Sequence, residues 1–320
     1  MPEYSLLEIV NERLRNKREF STPKNYNRTF TPTAASVVID GKVYGKCSRQ
    51  YAIELSGTKR EAPDNKGAWT FEFGEAFEEK FIEYMKRAGI YYADHVRFAF
   101  GFGPSNEYQI SGEIDAIALI DGQFVIVELK TGHGQSFFKQ HIAGYERNHQ
   151  QILTYTLDPF IQAPKIDNLM QKMMYLYYGK NVLPSITGDS INESRMIYVA
   201  RDMCIGAEYK TSLVERSLRH YPDVKYVERD GDGYIYTTVP IKPFAVEDVL
   251  DRFIYTANYV EKGILPPRDY NPQMTVEDIE KAFADGEISK SKRSNFLSGK
   301  EPARNWQCDY CPFLDICLNN

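Results

Sequence analysis

Apolar residues recur at helical spacing in several segments of the chain, which predicts α-helices. In residues 68–88 the apolar positions Phe77, Phe81 and Met85 are four residues apart and therefore share one face of a helix. A second strong helix pattern covers residues 244–261. Further helices are expected at residues 4–17, 33–38, 47–55, 141–157 and 276–284.

Runs rich in β-branched and aromatic residues predict strands between these helices. Residues 116–120 and 124–127 are apolar runs separated by an Asp-Gly pair, which favours a tight hairpin turn. Further strands are expected at residues 91–100, 169–178 and 195–199, and a further hairpin near residues 230–233. The combination predicts an α/β fold with a central mixed β-sheet flanked by helices.

The first hairpin is expected to bring four charged residues to one face of the sheet. A two-residue turn places Asp115 opposite Glu128 and Glu113 opposite Lys130. Opposed carboxylates on adjacent strands destabilise a sheet, and a hard divalent cation such as Mg²⁺ removes that conflict. An ammonium beside such an ion can stabilise charge that develops on a phosphate. The alternative is an ordinary hairpin with solvent-facing charges.

Two predicted helices on either side of this hairpin carry further candidates. Glu75, Glu78 and Glu79 lie on the helix before it, and one of them is a candidate third carboxylate ligand. Gln151 and Tyr155 lie four residues apart on the helix predicted at 141–157 and face the same way. An amide and a phenol placed like this can contact a phosphate backbone or orient metal ligands. A charged outer face and a packing pair are the alternatives.

The cysteines suggest a second metal site. Cys308, Cys311 and Cys317 form a Cys-x2-Cys-x5-Cys run, and Cys47 or Cys204 can supply a fourth thiol. Four thiolates hold zinc or an iron-sulfur cluster. Zinc sites more often pair two Cys-x2-Cys knuckles or add histidine, so the pattern favours iron-sulfur. Three unligated thiols are the alternative, and Cys204 is expected to be a small buried hydrophobe.

Composition and charge exclude several classes of protein. The 320 residues are 42% hydrophobic and 13% aromatic, enough for a large core. No apolar run approaches the roughly 20 residues that a membrane helix needs, and the N-terminal segment is charged where a signal peptide is apolar. We therefore expect a soluble, cytoplasmic protein, whose five cysteines favour metal over disulfides. A net charge of -5 argues against a nonspecific polyanion binder.

Taken together, the motifs resemble the RecB-like branch of the PD-(D/E)XK nuclease superfamily. More narrowly, the chain resembles its iron-sulfur members: the CRISPR-associated RecB-like exonucleases, the AddB nuclease domain and related phage exonucleases. The resemblance depends on Asp115, Glu128-x-Lys130, Gln151-x3-Tyr155 and the cysteines, which occur in the family's order. It covers residues 47–317, and its specificity comes from the joint occurrence of individually weak motifs.

The resemblance implies a restriction-endonuclease-like core at residues 61–200. It also implies a helical N-terminal region at residues 1–60 with the first cluster cysteine, and a helical C-terminal region at residues 201–320 that ends in the cysteine trio. A metal cluster would tie the two terminal regions together.

The same resemblance implies roles for single residues. Asp115 and Glu128 would bind Mg²⁺ or Mn²⁺, Lys130 would be the catalytic lysine, and Gln151 with Tyr155 would lie beside the DNA. The ligands of a 4Fe-4S cluster, with zinc as the less favoured occupant, would be Cys47, Cys308, Cys311 and Cys317.

One position departs from the family pattern. Members of this branch usually carry a metal-ligating histidine four residues after a glycine on the helix before the hairpin, whereas Gly74 is followed at that spacing by Glu78. Glutamate is an oxygen ligand that other branches use, so Glu78 is expected to be the third metal ligand, with Glu75 as the alternative. The substitution could instead shift the metal preference or mark a lost site.

We therefore expect a metal-dependent DNA exonuclease that acts on single strands or DNA ends in recombination, repair or processing. Protein partners of a recombination or CRISPR-type system are compatible with this expectation. The alternatives are a catalytically silent nucleic-acid-binding or assembly subunit that retains the fold and the cluster, and a structure-specific endonuclease. The joint presence of Asp115, Glu128 and Lys130 argues against the silent subunit.

Overall fold

A computed structural model describes most of the chain as two compact units. The described residues are 6–19, 29–58, 63–103, 105–132, 144–147, 153–156, 163–182, 187–202, 205–231, 233–285 and 287–319. The sheet unit comprises Met1–Ser21, Arg28–Gly45 and Ala62–Phe253, and the cysteine unit comprises Thr22–Asn27, Lys46–Glu61 and Ile254–Asn320. None of the described helices is both long and apolar enough to cross a bilayer.

The sheet unit contains every strand among the described residues and the longer helices. Its strands are β1 (Thr29–Phe30), β2 (Ser36–Ile39), β3 (Lys42–Gly45), β4 (Tyr91–Phe102), β5 (Tyr108–Ile120), β6 (Gln123–Gly132), β7 (Gly144–Arg147), β8 (Leu153–Thr156), β9 (Glu193–Ala200), β10 (Ile205–Arg216), β11 (Arg219–Asp230) and β12 (Gly233–Thr238). Its helices are α1 (Leu6–Glu19), α3 (Asn65–Arg87), α4 (Ile166–Val182) and the first part of α5 (Val246–Glu261).

Eight of these strands form one mixed sheet in the order β1-β5-β6-β9-β10-β11-β12, with β4 on the other edge of β5. The β1/β5 and β6/β9 pairs are parallel and the remaining pairs are antiparallel. Two parallel neighbours need a crossover connection, and α4 lies in the one between β6 and β9. The predicted α/β class, a central mixed sheet flanked by helices, is confirmed. The predicted end of the core at residue 200 differs from the structure, because residues 205–238 extend the same sheet.

Side chains alternate along β5 and β6, and this separates an apolar face from a charged one. Ala116 is buried against Ile82 and Met85 of α3, whereas Asp115 and Glu128 lie one position out of phase and face the other way. Full burial of side chains such as Ile82 and Met85 stabilises a fold by about 1.5–3 kcal/mol each. The apolar face therefore fixes the sheet against α3 and leaves the charged face for other contacts.

Helix α4 is buried on nearly all sides, so its sequence has no polar face. Leu169 and Met173 are fully buried, and the buried Lys172 donates from Nζ to the Tyr209 carbonyl at 2.8 Å. The strand predicted at residues 169–178 is therefore wrong. A run that is apolar all round fits a buried strand as well as a buried helix, and the 17 residues of α4 exceed the usual length of a strand.

The helix predicted at residues 33–38 is also wrong. Residues 32–34 form one 3₁₀ turn, and Ser36–Ile39 then pairs with Lys42–Gly45 as a hairpin. Asp40 and Gly41 between them have φ of 52° and 76°, the left-handed conformation of a tight hairpin turn. The Asp-Gly pair was the signal for this hairpin, as it is for β5 and β6.

The helix predicted at residues 141–157 is wrong where the structure describes it. Strands β7 and β8 pair there as a two-stranded antiparallel sheet, with Tyr145 opposite Tyr155. The Leu-Thr-Tyr-Thr sequence of β8 favours strand over helix because of its β-branched and aromatic side chains. Gln151 lies outside the described residues. The expectation that Gln151 and Tyr155 share one helix face therefore loses its basis.

The cysteine unit is helical. Its helices are α2 (Ser48–Leu55), the remainder of α5, α6 (Val276–Ala284), α7 (Lys290–Leu297), α8 (Trp306–Asp309) and α9 (Leu314–Asn319). The backbone N–H of Ser48 donates to Asp269 Oδ2 at 2.6 Å, and Arg49 Nη1 donates to the Pro266 carbonyl at 3.1 Å. These bonds connect the start of α2 to the loop after α5. The helices predicted at residues 47–55 and 276–284 are confirmed.

Candidate functional site

A cavity of about 540 Å³ opens in the sheet unit, and its lining is strongly acidic. Helix α3 and strands β5 and β6 supply the carboxylates, which are Glu75, Glu78, Glu79, Glu113, Asp115 and Glu128. Lys130 and His95 also line it. This excess of negative charge is unfavourable unless a cation or protons compensate it.

The cavity lies at a gap along one edge of β5. Strand β4 pairs with the other edge, from Tyr108 to Ala118. On the cavity side β1 pairs only with Gln109 and Ile110, and β6 pairs only from Ala116 onward. None of the described strands therefore pairs with residues 111–115 along this edge. All of these residues except Ile114 line the cavity from β5, together with the turn that follows β1.

Gly112 allows β5 to pack closely against Phe98 and Pro32 beside the cavity. A Cβ at this position would lie 2.8 Å from the ring of Phe98 and 3.1 Å from Pro32. Both contacts are closer than a carbon normally approaches, so the tight packing beside the cavity requires glycine. The Gly-Glu-Ile-Asp sequence thus combines a packing requirement with two acidic side chains.

The register of the β5–β6 hairpin is the one predicted. Ala116 faces Val127 and Ile120 faces Gln123. The turn residues Asp121 and Gly122 have φ of 50° and 77°, as a type I′ turn requires. The hairpin therefore delivers its charged residues to one side in the expected phase.

The four charged residues of the hairpin all line the one cavity, as predicted. On the N-terminal side of Ala116, β5 no longer pairs with β6. There the Leu129 N–H donates to the Asp115 side chain, at Oδ2, over 2.8 Å. Glu128 is fully buried and accepts a hydrogen bond from Lys130 Nζ at Oε1. Its other oxygen, Oε2, is buried with no hydrogen-bond partner in the described part of the chain.

Burial and mutual repulsion shift the ionisation of these carboxyl groups. Burial, with the nearby charge of Asp115, raises the pKa of Glu78 to about 7. Burial raises the pKa of Glu128 to about 7 even though Lys130 opposes the shift, and burial also raises the pKa of Asp115. Burial alone would lower the pKa of Lys130, but Glu128 and Asp115 outweigh it and raise that pKa. The lysine is therefore an ammonium at neutral pH.

The donor set fits a hard divalent cation. The carboxylates of Glu78, Asp115 and Glu128, the last with its orphaned oxygen, favour an oxygen-liganded ion such as Mg²⁺ or Mn²⁺. Within the described residues, no group of three or more His, Cys, Asp or Glu side chains is arranged to hold an ion as it stands. Lys130 takes up one oxygen of Glu128, and Leu129 takes up one of Asp115. Ligation therefore requires the carboxylate side chains to rearrange.

The structure favours Glu78 over Glu75 as the third carboxylate. Lys17 Nζ donates to Glu75 Oε2 at 3.1 Å, and both side chains are about half exposed. The Glu78 side chain is only 25% exposed and Asp115 perturbs its pKa. Glu78 therefore lies closer to the other carboxylates.

Sequence reasoning missed two polar residues of the cavity, Gln171 and Tyr175, which lie on α4. Gln171 Nε2 donates to Tyr175 Oη at 2.8 Å. They have the Gln-x3-Tyr spacing that was assigned to Gln151 and Tyr155. The signal was present in the sequence, but the segment was interpreted as a strand, in which residues four apart do not form such a pair.

In the cysteine unit, Cys47, Cys308, Cys311 and Cys317 line one small cavity of about 20 Å³. All four are free thiols. Burial raises the pKa of Cys308 to about 12, with further contributions from the other three cysteines. Cys204 lies outside the described residues. The predicted ligand set is therefore gathered in one place.

The chemistry of four converging thiols fits an iron-sulfur cluster or a zinc ion. A water-sized space of about 20 Å³ accepts a single ion more readily than a four-iron cluster. Cysteine has one side-chain torsion that moves sulfur, and outward rotation of the thiols would enlarge the space. The donor set thus fits both groups, and the space as it stands is nearer to that of one ion.

Comparison with known proteins adds little. No protein-family model matches the chain, and no curated protein is significantly similar to it. A solved structure titled "Crystal structure of SSO0001" superposes with a TM-score of 0.39 and 12% sequence identity, covering 98% of this chain and 96% of that chain. A likeness this low carries no argument about function.

Proposed function

We propose that the sheet unit is a divalent-metal-dependent nuclease that hydrolyses phosphodiester bonds in DNA. The proposal depends mainly on one observation: Glu78, Asp115, Glu128 and Lys130 line a single acidic cavity, in which Glu128 keeps a buried oxygen without a partner. The resemblance of the motifs to RecB-like nucleases with a restriction-endonuclease-like core supports the same function.

In this proposal the carboxylates bind the ion and Lys130 acts on the substrate. Bound Mg²⁺ or Mn²⁺ supplies Lewis-acid chemistry that activates water and stabilises the charge on phosphorus. Glu128 would then share its charge between the ion and Lys130, which now donates to Glu128 Oε1. The Lys130 ammonium can then stabilise negative charge on the phosphoryl oxygens.

Gln171 and Tyr175 are suited to hold the phosphate backbone. Burial raises the pKa of Tyr175, so the phenol stays neutral. Because Gln171 donates to the phenol oxygen, the Tyr175 O–H remains a donor for a phosphate oxygen. This pair takes the role that the sequence assigned to Gln151 and Tyr155.

We propose that the protein acts as an exonuclease on single-stranded DNA or DNA ends, in recombination, repair or processing. The nucleases that its motifs resemble act in this way. The experiment that tests the function is digestion of end-labelled linear DNA and of closed circular DNA with Mg²⁺ or Mn²⁺. Progressive shortening of linear DNA with circles left intact is expected, and cutting of circles would show an endonuclease instead.

The matched variant is Asp115→Asn, because the amide oxygen can still accept from Leu129 while the charge is lost. We expect at least a 10³-fold loss of cleavage rate with unchanged unfolding in the absence of metal ions. Wild-type digestion by both Asp115→Asn and Lys130→Ala would contradict the assignment, as would a lack of digestion by the wild-type protein with either metal.

We propose that the four thiols of the cysteine unit hold a 4Fe-4S cluster, because the cysteine spacing resembles that of the iron-sulfur nucleases. Zinc, which the present space of about 20 Å³ fits better, is the alternative. A cluster absorbs visible light broadly and zinc does not, so the absorption spectrum and the metal content of anaerobically purified protein distinguish them. The thiols support folding in either case, because they must lose protons and converge to bind.

A further inference from the structure

His95 is the only histidine among the described residues that lines the acidic cavity. It lies in the middle of β4, between Asp94, which pairs with Ala116, and Val96, which pairs with Ile114. Its Nδ1 is 3.1 Å from Glu113 Oε1 and 3.7 Å from Glu78 Oε1. The ring thus enters from β4 the space that the carboxylates of α3, β5 and β6 share.

The backbone at His95 is in an unusual conformation. Its φ is 49°, whereas strand residues have strongly negative φ. For a residue with a Cβ this left-handed conformation costs roughly 1–2 kcal/mol, and glycine would avoid the cost. Such strain tends to occur at functional sites. A need for the imidazole in the cavity would explain why a histidine, and not a glycine, occupies this position.

The contact with Glu113 suits a metal ligand. A histidine that ligates a metal commonly donates its other ring N–H to a carboxylate, which fixes the tautomer and the ring orientation. If His95 Nδ1–H donates to Glu113, the lone pair is on Nε2 and is available to an ion. Glu113 is in turn held by Arg97 Nε at 2.5 Å. The separation of 3.7 Å from Glu78 is too long for a hydrogen bond, so the ring and Glu78 stay available to a common ion.

We propose that His95 supplies a nitrogen ligand to the divalent ion that Glu78, Asp115 and Glu128 bind. This inference rests on the proposed nuclease function, because it assigns one more ligand to the same metal site.

The test is Mn²⁺ binding by the metal-free protein, measured from the EPR signal of free Mn²⁺. His95→Gly removes the imidazole and relieves the strained φ. We expect Mn²⁺ affinity to fall at least tenfold, the scale of metal-site perturbations, with no loss of thermal stability in the absence of metal. Mg²⁺ affinity, measured by calorimetry, should fall less, because imidazole favours transition metals over Mg²⁺. His220→Asn is the control, because His220 bonds to Glu247 outside the cavity.

Pulsed EPR of bound Mn²⁺ gives a direct readout. A nitrogen coupling is expected in the wild type and in His220→Asn, and its absence is expected in His95→Gly. Unchanged Mn²⁺ affinity and an unchanged nitrogen signal in His95→Gly would overturn the inference, while loss of binding in Asp115→Asn would leave the proposed function standing. If Asp115→Asn also bound Mn²⁺ normally, the metal site itself and the proposed function would both fail.

Discussion

The raised pKa values of Glu78 and Glu128 predict that the metal-free protein loses stability as the pH rises. The pKa of each is about 7 in the folded protein, against 4.5 for a free glutamate. Between these values the folded state holds protons that the unfolded state has released, so raising the pH favours unfolding. The stabilising contribution is fully present below pH 4.5 and is lost as the pH rises through 7.

The size of the effect follows from these two pKa values. For Glu128 alone, linkage gives a loss of about 2–3 kcal/mol between pH 5 and pH 8. For a unit of this size, a loss of 1 kcal/mol lowers the midpoint of thermal unfolding by about 2–4 °C. The midpoint should therefore fall by roughly 5–10 °C between pH 5 and pH 8. Burial lowers the pKa of Lys172, which acts in the opposite direction. The comparison with a variant is therefore more informative than the wild-type slope.

The variant is Glu128→Gln, which removes one of the buried carboxyl groups whose pKa is raised. Its midpoint of thermal unfolding, measured by scanning calorimetry in EDTA, should fall less than that of the wild type between pH 5 and pH 8. The difference between the two falls should be roughly the 5–10 °C that Glu128 contributes. Glu215→Gln, which changes an exposed carboxylate of β10, is the matched control and should keep the wild-type slope.

Saturating Mn²⁺ should flatten the wild-type pH dependence, because ligand carboxylates must be ionised to bind and the ion offsets their repulsion. It should leave Glu128→Gln largely unchanged. A metal-free Glu128→Gln variant with the same pH dependence as the wild type would refute the reasoning, and so would a Mn²⁺ response that does not depend on Glu128.

Three further predictions concern single residues. Lys130→Ala should lower the cleavage rate about 10²- to 10³-fold at saturating Mn²⁺, while Mn²⁺ still binds. Loss of Mn²⁺ binding would instead make the lysine structural. Tyr175→Phe should slow cleavage about 10- to 100-fold and also lower thermal stability, because the buried Gln171 amide loses its acceptor. Tyr155→Phe should not slow cleavage in the same digestion assay. The reverse result would restore the assignment of the motif to Gln151 and Tyr155. Cys308→Ser should abolish the visible absorption of purified protein and lower the midpoint of thermal unfolding of the cysteine unit. Cys204→Ser should change neither. A colourless Cys204→Ser protein would show that Cys204, and not Cys47, is the fourth ligand.

Local patterns predicted the hairpin at the centre of the site. An Asp-Gly turn and two β-branched runs fix both the register and the face of Asp115 and Glu128, because side chains alternate strictly along a strand. Amphipathic spacing likewise predicted α3 and α5. These are elements in which one face is buried and the other is solvated, so their period is visible in the sequence.

The segments that were misjudged lack such a period. Helix α4 is buried on nearly all sides, and its apolar run gave no evidence of helix over strand. Gln171 and Tyr175 were therefore overlooked, and the same spacing at Gln151 was preferred. His95 could not be assigned from the sequence either, because its role depends on a backbone conformation and a register that no local pattern specifies.

Residues 111–115 of β5 lie beside β4 along one edge, and none of the described strands pairs with them along the other. This open edge affects the solubility of the protein. A strand edge with free backbone donors and acceptors attracts any other extended chain, and proteins discourage such pairing with inward-pointing charges. Glu113 and Asp115 lie on this stretch, so the same carboxylates that serve the cavity also repel an invading strand. Neutralising both, by acid or by a double amide substitution, should make the protein prone to self-association before it unfolds.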